Sequence, residues 1–199
     1  GKDLQGEAET GSGKTAAFLL PVLQRLHEQS ASYLGVRALV LVPTRELVRQ
    51  LMEECETLSR YTYIKVKMLT GGDSFNFQSA NLRKNPEILI ATPGRLVDHL
   101  NKGTADLSNL EVLILDEADR MLDMGFKEDV LRIAASCHHQ RQTLLFSATM
   151  KQKGLRSVIE AVLTEPEVIS LGCARNPHDN ISQQIILADD WNHKQKLLT

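Results

Sequence analysis

Ala8-Glu9-Thr10-Gly11-Ser12-Gly13-Lys14-Thr15 runs directly into Ala16-Ala17-Phe18-Leu19-Leu20. The octet nearly matches G-x-x-x-x-G-K-[ST], with Ala8 in place of the first glycine. Gly11 and Gly13 let the backbone turn tightly enough for several N–H groups to point into one concavity. The helix that follows adds its own N-terminal N–H groups, so together they form an anion cradle suited to phosphate oxygens. Lys14 then reaches the outer phosphates and the Thr15 hydroxyl suits a Mg²⁺ ion. The competing reading is a Gly/Ser-rich turn that merely caps a helix. A short strand-like start before the loop and a helix after it favour the phosphate cradle.

Outward from this loop, short apolar runs alternate with helical patterns. Ala38–Val42, Ile88–Ala91, Val112–Leu115 and Thr143–Phe146 read as buried strands, and Val66–Leu69 and Val168–Leu171 as weaker ones. The strong runs are apolar on both faces, as parallel strands covered by helices on each side require. Val48, Leu51, Met52 and Cys55 fall at i, i+3, i+4 and i+7. Val130, Ile133, Ala134 and Cys137 repeat that spacing, as do Leu155, Val158, Ile159 and Val162. Each set makes one apolar helical stripe. The alternation predicts an α/β fold, a mostly parallel β-sheet with helices on both faces. Gly172–Asn180 reads as a loop and Gln184–Leu187 as a last strand.

Val112–Leu115 ends in Asp116-Glu117-Ala118-Asp119. In open α/β sheets the ligand lies beyond the carboxyl ends of the strands. That places Asp116 near the metal and Glu117 where it can orient or deprotonate a water. The bland alternative is an acidic helix start, with Asp119 as the cap. Thr92-Pro93-Gly94-Arg95 places an N-cap, a first-turn proline and a cation at the start of a helix reaching about Leu100. Thr44 and Arg45 repeat the arrangement after Pro43. Both segments suit a phosphate of a nucleic-acid backbone, and both equally suit ordinary helix caps. Gly71-Gly72 fits either a close backbone approach or a bare turn.

Composition sets outer limits. The chain has 199 residues, 42% hydrophobic and 24% charged, with a net charge of −2. This is an ordinary globular mix with no membrane-spanning stretch. The charge balance requires any nucleic-acid site to be local. Five Phe, three Tyr and one Trp argue against a base-stacking platform. Cys55, Cys137 and Cys173 form neither a metal knuckle nor a disulfide framework, and suit a reducing compartment. His138-His139 beside Cys137 reads as a surface loop, since no second ligand cluster stands at zinc spacing. No signal peptide is visible and no initiator Met is present, so a trimmed chain is expected.

Asp116–Asp119 spells DEAD, and the chain resembles the DEAD-box RNA helicases of superfamily 2. Their phosphate loop has the form A-x-T-G-S-G-K-T, which accounts for Ala8. Pro43-Thr44-Arg45-Glu46-Leu47 is similar to motif Ia, Gly71-Gly72 to the GG doublet, Thr92–Arg95 to motif Ib and Ser147-Ala148-Thr149 to motif III. The resemblance implies a RecA-like domain that binds ATP through Ala8, Glu9, Thr10, Gly11, Ser12, Gly13, Lys14 and Thr15. Mg²⁺ would be held by Thr15 and by Asp116, directly or through water, with Lys14, Asp116 and Glu117 as the catalytic groups. It implies sequence-independent contacts to an RNA backbone through Pro43, Thr44, Arg45, Gly71, Gly72, Thr92, Pro93, Gly94 and Arg95. Asp119, Ser147 and Thr149 would couple the ATP and RNA states; Ser147 and Thr149 are expected to bond neighbouring carboxylates, Asp119 above all, although Thr149 equally suits a helix cap.

The adenine-reading Q motif lies upstream of Gly1 in this family, and no second-domain motif is present. Residues 1–188 are therefore expected to form the first RecA-like domain and 189–199 a linker or the start of a second. An arginine finger from that second domain is worth roughly 10³–10⁵-fold in rate. This chain alone is accordingly expected to hydrolyse ATP negligibly. Other readings are an RNA- or protein-binding half-clamp and a DNA-acting superfamily 2 ATPase. A GTPase is disfavoured because Asn101-Lys102-Gly103-Thr104 lacks the N-K-x-D guanine reader. The run Asp119–Phe126 and the tail Ala188–Lys194 look similar to SrmB-type bacterial helicases of ribosome assembly, implying ribosomal or other RNP protein partners. The expected location is cytoplasmic, or nuclear or nucleolar in a eukaryote.

Overall fold

Leu, Ile, Val and Ala in four-residue runs leave no polar edge to show to water, so such runs become strands only where both sheet faces are covered. Ala38–Leu41 (β2), Ile88–Ala91 (β4) and Val112–Leu115 (β5) are buried at every position. The computed structural model describes residues 1–8, 11–29, 35–150, 154–170 and 186–197. Its other strands are Leu4–Glu7 (β1), Val66–Leu69 (β3), Gln142–Ser147 (β6) and Glu167–Ser170 (β7). Helices fill the crossovers: Lys14–Glu28 (α1), Arg45–Ser59 (α2), Phe75–Leu82 (α3), Pro93–Asn101 (α4), Ala118–Asp123 (α5), Lys127–Ser136 (α6) and Leu155–Val162 (α7). Trp191–Lys196 (α8) is a short helix near the end of the chain.

The strands form one sheet in the order β3-β4-β2-β5-β6-β1-β7, with every neighbouring pair parallel. Side-chain alternation splits the core in two. Leu39, Leu41, Leu89, Leu113 and Leu115 pack on one face against Leu96 of α4, Ile133 of α6 and Val158 of α7. Val40, Ile88, Ile90, Val112 and Ile114 pack on the other against Phe18 and Leu19 of α1 and Val48 and Leu51 of α2. The three predicted stripes are the inner faces of α2, α6 and α7, with Met52 and Ile159 only half-buried at their margins.

The structure departs from expectation in two places. β6 is not buried on both faces: burial alternates, with Leu144 and Phe146 half-buried. Those two side chains border a cleft beside α1. In the expected strand Gln184–Leu187, the two described residues, Ile186 and Leu187, are irregular and exposed. Gln184, Ile185, the loop Gly172–Asn180 and Cys173 lie outside the described residues. The segment 189–199, expected to be a linker or the start of a second domain, contains α8, capped by Asp190, whose carboxylate accepts from the His193 amide at 2.7 Å.

The strand order sorts the motifs. Loops after β1, β5 and β6 leave three adjacent strands, and loops after β3, β4 and β2 leave the other three. Two sites therefore arise side by side along the carboxyl edge of one sheet.

Candidate functional site

The first site grows from the loop after β1. Gly11 and Gly13 have φ of 82° and 85°, the left-handed region that glycine enters without cost. A Cβ would touch nothing at either position, so backbone conformation and not space demands glycine. Gly13 caps α1 without a side-chain bond, leaving the first-turn N–H groups of Lys14, Thr15 and Ala16 outside the helical ladder. Ser12 is exposed, and Thr15 is half-buried in the first turn. Glu9 and Thr10 lie outside the described residues.

Lys14 Nζ donates to the Ala8 carbonyl at 3.0 Å and lies 3.6 Å from Asp116 Oδ1. The loop after β1 and the acidic end of β5 thus meet at one ammonium group. Burial pushes the Asp116 carboxyl above its ordinary range, opposed by Lys14 and by the Glu117 amide, which donates to Oδ1 at 3.0 Å. Glu117 has φ 53° and ψ 49°, a left-handed conformation uncommon for a side chain with a Cβ. Its carboxylate pairs with Arg120 Nη1 at 3.1 Å. α5 begins at Ala118, so Asp119 sits inside the first turn and is not the cap expected of it.

Asp119 Oδ2 accepts from the backbone amide of Thr149 at 3.0 Å. The Ser147 hydroxyl, expected to reach a carboxylate, donates instead to the Thr149 carbonyl at 2.7 Å, because the chain folds back immediately after β6. Ala8 N–H donates to the Ser147 carbonyl at 3.1 Å. Ala8, Ser147, Thr149, Asp119, Asp116 and Lys14 therefore form a circuit across the ends of β1, β6 and β5. Beside it lies a mostly apolar cleft of about 290 Å³, lined by Leu4, Ala17, Phe18, Phe146 and Ile169 together with Gly13 and Lys14.

The second site is a cleft of about 470 Å³ across the ends of β2, β3 and β4. Pro43, Thr44, Arg45, Gly71, Thr92, Gly94 and Arg95 line it, so seven of nine residues singled out as backbone contacts face one space. Gly72 and Pro93 flank it in sequence. Thr44 caps α2, accepting from Leu47 N–H at 3.3 Å. Thr92 occupies the cap position of α4 with Pro93 in the first turn, yet its side chain makes no capping bond. The Arg45 guanidinium lies directly over the Gly71–Gly72 turn, and a Cβ on Gly72, where φ is 88°, would collide with it. A close approach is what this doublet permits, and the approaching group is a side chain of the protein itself. A Cβ at Gly94 would find only ordinary contact with Asp129 and Phe126, so crowding does not require that glycine.

Arg95 is mostly turned inward. Its Nε donates to Gln78 Oε1 at 2.8 Å, Nη2 donates to the Asp73 carbonyl, and Nη1 lies 3.9 Å from Asp98. Gln78 Nε2 donates to the Thr70 carbonyl at 2.9 Å, and His99 stands behind both. Sequence reading missed Asp73, Gln78 and His99, although their closeness to Gly71-Gly72 and Arg95 in the chain was the available signal. Met124 and Phe126 also line the cleft, brought there by the turn at Gly125.

Among the described residues no cluster of His, Cys, Asp or Glu could hold a metal alone. Near the phosphate loop the available donors are oxygens, the Thr15 hydroxyl and the Asp116 carboxylate. A hard cation such as Mg²⁺ suits this set, since it binds through one or two protein oxygens and completes its shell with phosphates and water.

A family model described as DEAD/DEAH box helicase matches residues 1–158. The ATP-dependent RNA helicase SrmB of Haemophilus influenzae is 42% identical over 197 residues, covering 98% of this chain and 45% of that protein. CshA of Listeria monocytogenes, also named an ATP-dependent RNA helicase, is 45% identical over 171 residues, covering 86% and 32%. The crystal structure of a DEAD box protein from Methanococcus jannaschii superposes with a TM-score of 0.79 at 38% identity, covering 85% of this chain and 45% of that one. The chain thus spans less than half the length of these relatives.

Proposed function

Because the chain belongs to the DEAD/DEAH box helicase family, we propose that it is the first RecA-like domain of an ATP-dependent RNA helicase. The observation that carries this reading is Lys14, held between the Ala8 carbonyl and Asp116, where phosphate loop and acidic strand end converge. Residues 8–15 cradle the ATP phosphates, and Lys14 neutralises charge on the outer ones. Thr15 and Asp116 would hold Mg²⁺, which would supply positive charge to offset that of the phosphates. Glu117, next to Asp116 and fixed by Arg120, orients the attacking water. Asp119 with the Ser147–Thr149 turn carries the state of this site to neighbouring elements.

The second cleft takes a nucleic-acid backbone. Two helix starts, at Thr44 and Thr92, and the Arg45 guanidinium give it phosphate-binding groups without a basic protein surface. Sugar and phosphate contacts of this kind are indifferent to base sequence, and preference for RNA would come from the 2′-OH. The relatives' names support RNA over DNA as the substrate, and the likeness to SrmB supports a ribosome-assembly role with RNP partners. Residues 1–188 form the domain and 189–199, which include α8, lead toward a second RecA-like domain. Cytoplasm, or nucleus in a eukaryote, is the compartment this work requires. No helix among the described residues is long and apolar enough to cross a membrane.

The test is ATP hydrolysis by a chain extended at both ends, measured with single-stranded RNA, with single-stranded DNA and with neither. Stimulation by RNA alone is expected, with turnover abolished by Lys14→Ala. Equal stimulation by DNA would assign a DNA-acting ATPase, and no stimulation would leave a binding half-clamp. Residues 1–199 alone are expected to turn over at least roughly 10³-fold more slowly than the extended chain, which adds the arginine finger of a second domain.

A further inference from the structure

Two side chains beneath the second cleft, Gln78 and His99, are buried and polar, and their bonding is over-determined. Gln78 is 2% exposed and His99 is fully buried. Arginine can only donate, so the Gln78 atom 2.8 Å from Arg95 Nε is the amide oxygen. The amide nitrogen then faces the Thr70 carbonyl at 2.9 Å, which is the pairing that carbonyl needs. His99 Nε2 lies 3.2 Å from the same Gln78 oxygen and must therefore carry a proton. Burial, with Arg95 and Lys102 nearby, lowers the His99 pKa to about 4, against a weaker opposite pull from Asp98. The ring is neutral near pH 7, so Nδ1 is bare and accepts a share of the Thr104 hydroxyl proton at 2.8 Å, the other acceptor being the His99 carbonyl at 3.1 Å. Phe75 stacks on the imidazole with centroids 4.0 Å apart and planes at 8°, and Lys102 Nζ lies 4.0 Å from the Phe75 centroid.

This arrangement joins three elements that bear on the cleft. Thr70 and Asp73 belong to the turn after β3, Gln78 to α3, and Arg95 and His99 to α4. We propose that His99 and Gln78 are positioning residues for the cleft: the Nε2–H of His99 orients the Gln78 amide, and that amide holds Arg95 against the Gly71–Asp73 turn. Neither side chain lines the cleft, so neither touches the strand. Their effect is to fix the separation between the turn after β3 and the start of α4, both of which meet a bound backbone. The inference rests on the reading of this cleft as the nucleic-acid site. It predicts preorganised binding, in which ordering the Arg95 side chain costs nothing at the moment of association.

Three substitutions separate hydrogen bonding from packing. His99→Phe keeps a stacked ring and removes both nitrogens. His99→Asn keeps a donor only near the Nδ1 position. His99→Gln extends a donor to about the Nε2 position. In the 199-residue chain, NMR of the ¹⁵N-labelled protein reads the His99 tautomer and the protection of Arg95 Nε–H from solvent exchange. Anisotropy of a labelled single-stranded RNA and of a fluorescent ATP analogue reads each affinity. The unsubstituted chain is expected to show the Nε2–H tautomer and a protected Arg95 Nε–H. His99→Phe and His99→Asn should lose that protection and bind RNA about tenfold more weakly, one lost hydrogen bond, while His99→Gln retains both. ATP-analogue affinity should be unchanged in all three.

An Arg95 Nε–H still protected in His99→Phe overturns the proposal, as does RNA binding equal to the unsubstituted chain. Should all three variants fail to fold, an Nδ1–H tautomer in the unsubstituted chain overturns it directly. If the unsubstituted chain binds no RNA, the function proposed above fails, and the Arg95 signal still decides this inference.

Discussion

Gly72 is where one added carbon would do most local damage. Its φ of 88° excludes ordinary side chains, and a Cβ would run into the Arg45 guanidinium. Gly72→Ala is expected to cost about 1–2 kcal/mol in urea unfolding, from the strained backbone and the displaced arginine. It should weaken single-stranded RNA binding by anisotropy and leave ATP-analogue binding intact, because the phosphate loop lies at other strands. His99 gives a second expectation. Its folded pKa of about 4 lies below the ordinary 6.5, so between those values the unfolded chain binds a proton that the folded chain does not. Stability contributed by neutral His99 is thus complete above about pH 6.5 and lost as pH falls toward 4. Melting temperature should drop over that window, and less steeply in His99→Gln. At this scale the sequence was informative about type and poor about partners. Gly11 and Gly13 were visible as demanding positions, whereas Gly71-Gly72 fitted a bare turn equally well. Nothing in the string said that Arg45 would press on Gly72, or that Arg95 would turn inward to Gln78, because both partners are set by tertiary distance and not by spacing.

Helices show where local signals suffice and where they fail. Thr44 and Thr92 look alike in sequence, each preceding a helix, yet only Thr44 makes its capping bond. Thr44→Ala should therefore lower stability by about 1 kcal/mol, whereas Thr92→Ala should cost only a few tenths, as thermal melts of the two variants would show. α2, α6 and α7 were legible because each lays a regular apolar stripe on the sheet. α3 was not. Its buried residues are Gln78, Ser79 and Leu82, two of them polar, so it presents no stripe to recognise. The same polarity makes α3 useful, since Gln78 ties the turn after β3 to α4. β2, β4 and β5 were legible as unbroken apolar runs. The alternation of β6 was hidden because Leu144 and Phe146 are apolar even where they are only half-buried.

For the molecule as a whole, strand-helix alternation disclosed a parallel sheet but not its order, since many permutations share one pattern. The order β3-β4-β2-β5-β6-β1-β7 is what gathers the loops into two groups. Under the proposed function, a chain of net charge −2 would hold a polyanion by confining the attraction to a few helix starts and one guanidinium. Binding of single-stranded RNA should then be only mildly salt-sensitive. With about three phosphates contacted, log Kd against log salt is expected to rise with a slope of about 2, from roughly 0.7 per phosphate on single strands. Anisotropy titrations between low and moderate salt would measure it, and a much steeper slope would mean a basic surface beyond this cleft. Across the other three strands, Lys14 already holds two oxygens, the Ala8 carbonyl and Asp116. An arriving phosphate does not find a free cation. It must trade places with partners the lysine already has, so the gain is a difference between two similar attractions. On the proposed reading as an ATP site, this exchange eases product release, because what the lysine surrenders on binding is waiting to take it back.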